Sequence, residues 1–571
     1  MKSSSNKCRW TVRALVALLP LLVCSEAMSH FIWLAPCNDH QTEPTIDQHA
    51  TSLQVFFGEE AAADDPDLLD LIQDIKVQRL TKDGAASEIA VQRQIDTLEA
   101  KLPGDRAALD ASLFVATHDL GIRSRGGEAF RLVYHAKAGP PADAAAWSDV
   151  STEDALALDV VPAVHSGRVH LTARFRKSPA VAAEVKATGP GLTAPHADGF
   201  SGETDAEGKA SFAIAAAGRY SIRVRHIEAT SGKVEDEAYD SVRHYTTITL
   251  DVPPSMIPLA VDEAFKLPDL PVTLTSFGGA VLGDDVYIYG GTKGSAHDYY
   301  KGIQSGALMR LKVTAGNADT PPAWETISTG PELQGLALVP HAGKLYRIGG
   351  FEARNRQGEE DRLWSVDSVA CFDPASSQWT QIAPLPEPRS SFDAAVLGDT
   401  VYVVGGWSMQ GEARRVWHAT AWKLDLAQEQ PAWQAIAKAP FERRALTVAA
   451  HEGKLYAIGG ITSGDETVRE TDVYDPLTDQ WTQGPELVGT DGMTGFGASA
   501  FATGGGLYVS TVSGSLQRLS NDGETWQVVG QTPSARFFHR MLPIDEQRFI
   551  LIGGSNMSSG RNKTTEVFAI P

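Results

Sequence analysis

GGAVLGDDVYIYGG (278–291) is a strand, a tight turn and a second strand that ends in Gly-Gly. The same pattern returns five times, as LALVPHAGKLYRIGG (336–350), DAAVLGDTVYVVGG (393–406), TVAAHEGKLYAIGG (447–460), SAFATGGGLYVSTV (499–512) and MLPIDEQRFILIGG (541–554). Successive pattern ends lie from 42 residues apart (512 to 554) to 59 (291 to 350), enough for four short antiparallel strands. A later Trp follows in five of the segments: Trp324, Trp379, Trp433, Trp481 and Trp526. Before several of them a strand ends in an acidic turn, as in ACFDPASSQW (370–379) and DVYDPLTDQW (472–481). Alternating apolar side chains suit a sheet with packed faces. Paired glycines let the backbone take φ > 0 and let neighbours approach closely. The repeated Trp can pack between adjacent sheets. Such sheets cannot bury both faces alone, so they stack in a ring.

These segments resemble the Kelch repeat family over about 300 residues. The resemblance implies a six-bladed β-propeller, which we assign to 256–571. Two places depart from the pattern. Thr511-Val512 stands where Gly-Gly is expected, and TTEVFAIP (564–571) has no Trp strand after it. A ring must close, so LPDLPVTLT (267–275) is expected to supply the missing outer strand.

The first half lacks this pattern. HFIWLAP (30–36), FRLVYHAK (130–137), RVHLTARFR (168–176) and RYSIRVRHIEA (219–229) read as strands, and TDAEGKASFAI (204–214) as a turn entering a strand. Short polar turns between them suggest β-sandwich modules. We expect an all-β chain, with a sandwich-like region at 30–160, a small immunoglobulin-like sandwich at 161–255, and then the propeller. The leading His30 with the stretch 204–252 is similar to a bacterial family of periplasmic proteins associated with nickel and cobalt uptake. The part from about 165 also looks like the carboxypeptidase-regulatory type of small sandwich.

Residues 1–29 read as a secretory signal peptide. Lys2, Lys7, Arg9 and Arg13 precede the apolar run ALVALLPLLVC (14–24), and small residues follow. Cleavage after Ala27 or Ser29 would remove Cys8 and Cys24 and leave 46 basic against 70 acidic residues. A secreted or periplasmic protein is expected, with no integral membrane segment in the mature chain. The whole chain carries a net charge of −21, which argues against nucleic acid as a partner because phosphate binding needs a basic face. Four Cys in 571 residues exclude a disulfide scaffold.

Two groups of residues are candidates for chemistry. If strands 219–227 and 241–250 form a hairpin, His226 and His244 share its more apolar face. His30 could add its imidazole and, after cleavage at Ser29, its α-amine. Imidazole suits a divalent transition metal such as nickel, copper or zinc. Cys37 and His40 add a lone C-x2-H spacing. The alternative is hydrogen-bonded packing. Asp64, Asp65, Asp67 and Asp70 lack the glycine and ligand spacing of a calcium loop and read as a solvated face.

In the propeller, Arg389, Arg443, Arg444 and Arg536 recur before inner strands, with His539 nearby. Several guanidinium groups around a channel mouth could hold a carboxylate, or could form ion pairs between blades. Cys371 fits poorly the crosslinked copper site of galactose-oxidase-type propellers. No P-loop, H-E-x-x-H or nucleophile elbow occurs. The leading expectation is an exported binding protein whose propeller takes a protein or glycan ligand, without catalysis. The alternative is a sugar-processing enzyme of the sialic-acid mutarotase type at the propeller mouth. That enzyme requires Arg444 and Arg536 to point into one cavity.

Overall fold

The computed structural model describes residues 30–37 and 52–570, apart from 63, 103, 105, 166, 191, 193–198, 296–297, 314–321, 490–491 and 558. The expected signal peptide and His40 lie outside the described residues. The chain divides into two compact units, Met1–Pro253 and Pro254–Pro571. Strands dominate both, and among the described residues no helix is long and apolar enough to cross a membrane.

In the first unit, a four-stranded sheet is built on Phe31–Cys37 and Ser52–Gly58. It packs on an eight-stranded sheet, and the shared core holds Phe31, Trp33, Leu53, Val77, Phe130 and Tyr134. Alternation places these side chains inward along each strand. Gly218–Glu228 pairs antiparallel with Ser241–Val252, and His226 falls opposite His244. Ser241–Val252 then pairs in parallel with Glu128–Ala138.

That parallel pairing alters the expected division at 160. A parallel neighbour needs a long crossover. Residues 139–240 provide it, and 241–252 returns to extend the sheet begun by Lys76–Thr81, Ser112–Arg125 and Glu128–Ala138. One sheet therefore draws on both sides of residue 160, so the two separate sandwiches expected there are one layered unit.

The described residues of the second unit contain six sheets of three or four strands built on the six repeats. They open with Gly278–Leu282, Ala337–His341, Asp393–Leu397, Thr447–His451, Ser499–Thr503 and Arg540–Pro543. Each opening strand touches that of the next sheet, and Arg540–Pro543 touches Gly278–Leu282 to complete the circuit. Apolar clusters fill the spaces between neighbours. Tyr289, Leu338 and Phe372 join the first and second sheets, and Ile288 and Ile550 join the sixth and first. In four of the five repeated Trp residues the indole N–H reaches back to the preceding sheet. Trp379 donates to Ser328 Oγ (3.1 Å), Trp433 to the Ala383 carbonyl (2.9 Å) and Trp481 to the Ala437 carbonyl (2.9 Å).

A backbone ring ties the sheets together at one end of the channel. Two residues before each opening strand, the chain turns left-handed, at Ser276, Gly335, Ser391, Ala445, Gly497 and Phe538. The amide of each donates to the carbonyl of the one before: Gly335 to Ser276 (2.8 Å), Ser391 to Gly335 (2.8 Å), Ala445 to Ser391 (2.8 Å), Gly497 to Ala445 (3.3 Å), Phe538 to Gly497 (2.9 Å). Ser276 closes the circle on Phe538 (3.1 Å).

The sixth sheet closes differently from the expectation. Residues 267–275 form no outer strand. Pro268 and Pro271 cannot donate to a ladder there. Val261 instead bridges to Phe568, and the Asp262 amide donates to the Val567 carbonyl (2.7 Å). Leu270 and Leu274 bury in the cluster between the sixth and first sheets.

Candidate functional site

The arginines singled out in the sequence separate by position. Arg389, Arg443 and Arg536 stand four residues before an opening strand and turn into their own sheets. Arg389 donates to the carbonyls of Gly405 (2.9 Å) and Thr420 (2.8 Å), and it pairs with Glu387 (3.1 Å). Arg536 donates to the carbonyls of Gly553 (3.0 Å) and Thr564 (3.0 Å) and pairs with Glu566. Arg443 donates to the Glu470 carbonyl (3.0 Å) and pairs with Asp472. All three are buried, and burial draws the Arg389 guanidinium down to about 10. The expectation that they face the channel mouth is corrected. For Arg389 and Arg536 the cause is the Gly-Gly turn, whose buried first carbonyl must find a donor, and these guanidinium groups supply it.

Arg444 and His539 do reach the mouth. They line a cavity of about 330 Å³ that sits on the backbone ring, together with Gln334, Phe351, Trp407 and Arg415. The wall comes from loops that follow the Gly-Gly turns of the second and third sheets. Trp407–Ser408 pairs with Val416–Trp417, and Arg415 lies in the turn between them. The Arg444 guanidinium rests 4.4 Å from the Trp407 ring centre, and that of Arg415 rests 4.7 Å from it. Trp417 packs beside Trp407 at 5.2 Å. Stacking on indole leaves the N–H edges of a guanidinium open to an anion. The indole N–H of Trp407 and the Nε of Arg444 are buried without a hydrogen-bond partner. Arg444 lies 3.8 Å from the exposed Asp465.

The cavity's remaining charged lining is held differently. Arg540 is committed to Asp393 through two contacts, of 3.2 and 3.3 Å. His539 Nε2 lies 2.6 Å from Ser510 Oγ. Burial, with Arg536 and Arg540 nearby, pushes the His539 imidazole down to about 3, so it is neutral at physiological pH.

The first-unit candidates do not assemble. His30 Nε2 faces Asp64 Oδ2 at 3.2 Å. His244 Nδ1 faces His135 Nε2 at 3.4 Å, and His244 Nε2 faces Glu228 at 3.5 Å. Thr117 Oγ1 lies 2.9 Å from His135 Nδ1. His226 packs on the Phe175 ring, 4.5 Å between centres. Burial pushes His135 down to about 3 and lowers His226 and His244 as well. Among the described residues no group of three or more His, Cys, Asp or Glu could hold a metal. The structure does not bring His30 together with His226 and His244, and the His244 nitrogens face His135 and Glu228. Cys37 and Cys371 are both free.

Trp407, Arg415 and Gln334 escaped the sequence reading. Two of the three carried a signal. Trp407 directly follows a Gly-Gly, and Gln334 stands at the repeat position of Arg444, three residues before an opening strand. Arg415 carried no signal, because a surface loop follows no period.

A family model described as the KLHDC2/KLHL20/DRC7 Kelch-repeats domain matches residues 278–511. Mouse Kelch-like protein 35 is 29% identical over 222 residues, covering 39% of this chain and 32% of that protein. Human Kelch-like protein 23 is 25% identical over 284 residues, covering 48% and 45%. The chain thus spans less than half the length of these relatives. A solved structure titled "Structure of YjhT" aligns with a TM-score of 0.43 and 17% identity, over 53% of this chain and 99% of that one. The family model thus places Kelch repeats within the C-terminal unit, at residues 278–511. The family model begins at residue 278 and does not bear on the resemblance of the first half.

Proposed function

We propose that the Kelch-repeat unit is a non-catalytic docking module that takes an acidic segment of a partner protein into its mouth cavity. One observation carries this reading: Arg415 and Arg444 both stack on Trp407 at the opening, with indole and guanidinium donors left unpaired. A carboxylate satisfies such donors bidentately. The similarity to Kelch-like proteins favours a protein ligand over a glycan. The net charge of −21 opposes an acidic ligand at long range, but salt screens that repulsion beyond about 10 Å, and the local pair of arginines decides the contact. The mutarotase alternative loses its requirement, since Arg536 stays inside its own sheet.

The test is fluorescence anisotropy with a labelled, capped hexapeptide of glutamate and glycine on the full chain. We expect saturable binding that Arg415→Ala and Arg444→Ala each weaken about tenfold, with a capped lysine-glycine peptide failing to bind. Equal binding by wild type and both variants would sink the proposal.

A further inference from the structure

The mouth cavity has a second wall of opposite character. Gln334, on the second sheet's side, is 5% exposed, and its Oε1 has no hydrogen-bond partner. His539, on the sixth sheet's side, is 4% exposed, and its Nδ1 has none either. Both residues line the same cavity as Arg415, Arg444 and Trp407.

One tautomer of His539 matches the hydrogen bonding of its neighbour. The Ser510 hydroxyl donates to the Ser499 carbonyl (3.3 Å). Its oxygen is then the acceptor in the 2.6 Å contact with His539 Nε2. In the tautomer that carries its ring proton on Nε2, Nδ1 presents a bare lone pair. Gln334 Oε1 is likewise an acceptor only. Buried acceptors without donors are costly, so a ligand that supplies donors gains by entering.

The donor must be neutral. Burial, and after it the neighbouring Arg536 and Arg540, keep the His539 imidazole uncharged, and an incoming ammonium would meet the charge of those two guanidinium groups. The other positions at this level of the ring do not repeat the pair. The residue just before each opening strand is Phe277, Leu336, Phe392, Leu446 or Ala498 in the other five sheets, and histidine only in the sixth.

We infer that Gln334 and His539 form an acceptor subsite for a neutral N–H donor, a carboxamide or peptide amide, placed beside the carboxylate held at Arg415 and Arg444. This rests on the docking reading and specifies its ligand: an acidic group and an amide presented together. Gln334 and His539 set specificity, and the arginines hold the charge.

Two small monoanions test it on the full chain, succinamate and monomethyl succinate. Each carries one carboxylate, and only succinamate carries N–H. Saturation-transfer NMR titrations give their Kd values. Succinamate should bind about tenfold tighter, the worth of one or two satisfied acceptors. Gln334→Leu should remove most of that preference, and Arg415→Ala should weaken both. Equal affinity of the two monoanions for the wild-type chain overturns the acceptor subsite and leaves the docking reading intact. Failure of both to bind overturns the two together. The wild-type comparison needs no variant, so it decides the point even if Gln334→Leu does not fold.

Discussion

Arg540 of the sixth sheet lays its guanidinium on the carboxylate of Asp393 in the third, 3.2 Å from Nη2 to Oδ1, so the pair joins opposite sides of the ring. Asp393 also accepts from the Val448 amide (3.1 Å) and from Thr447 Oγ1 (3.2 Å) of the fourth sheet. Both partners are largely removed from solvent, so neither charge can return to water when the other is lost. Asp393→Ala should therefore cost about 3 kcal/mol in chemical denaturation. The double change Asp393→Leu with Arg540→Met should recover much of the loss. A single variant as stable as wild type would show that the pair is solvated.

The left-handed ring gives a second expectation. Gly497 sits at φ 58°, and a Cβ there would meet the Phe538 amide nitrogen at 3.0 Å. Gly497→Ala should destabilise by about 2 kcal/mol, from the left-handed strain and the crowding together. Ala445 already carries that strain at φ 53°. Ala445→Gly should raise the denaturation midpoint by the equivalent of about 0.5 kcal/mol, since relief of strain outweighs the added chain entropy.

The arginines should divide by assay. Arg389→Lys keeps the charge but loses the forked donation to Gly405 and Thr420, and should lower stability by about 2 kcal/mol with no change in affinity for the acidic hexapeptide. Arg415→Ala, on an exposed turn, should leave the melting temperature within a degree or so and weaken binding. The reverse assignment would show that the cavity is not the docking site.

Acid should destabilise the protein through buried histidines before it reaches the carboxylates. His135 and His539 are neutral in the native state, each pushed down to about 3 by burial. In the unfolded chain they titrate near 6.5. Their contribution is full above about pH 6.5 and is lost as pH falls toward 3, because the unfolded chain binds protons that the native state refuses. Each adds a slope approaching about 1.4 kcal/mol per pH unit in that window. Salt-bridged carboxylates such as Asp119, whose pKa is lowered, act in the same sense only below about pH 4. Denaturation of His135→Asn at pH 6.0, 5.5 and 5.0 should show a shallower slope than wild type, and an unchanged slope would place the proton uptake elsewhere.

The repeats made the ring legible because each Gly-Gly and each Trp records a local need. The glycines mark a turn at φ > 0, and the indole marks a contact with the preceding sheet. A period in sequence is a period in structure when every unit meets the same neighbour. The same logic failed at residues 267–275, where two prolines bar a strand, and at residue 160, where a parallel partner returns from a hundred residues away. The arginines were visible, but their directions were not. Arg443 and Arg444 are adjacent in sequence, yet one turns into its sheet and the other lines the cavity.

By itself, then, the sequence determined an all-β chain with a Kelch-type ring after a separate β-rich half, since strand period, turn glycines and repeat spacing are local properties. Only the tertiary structure decided which charged groups are spent inside the fold and which face the cavity. A guanidinium is committed by the carbonyls it finds within about 3 Å, and those belong to turns and strands distant in the chain. Arg389 found the Gly405 and Thr420 carbonyls and became part of the fold. Arg444 found the face of Trp407 and keeps an unpaired Nε at the cavity.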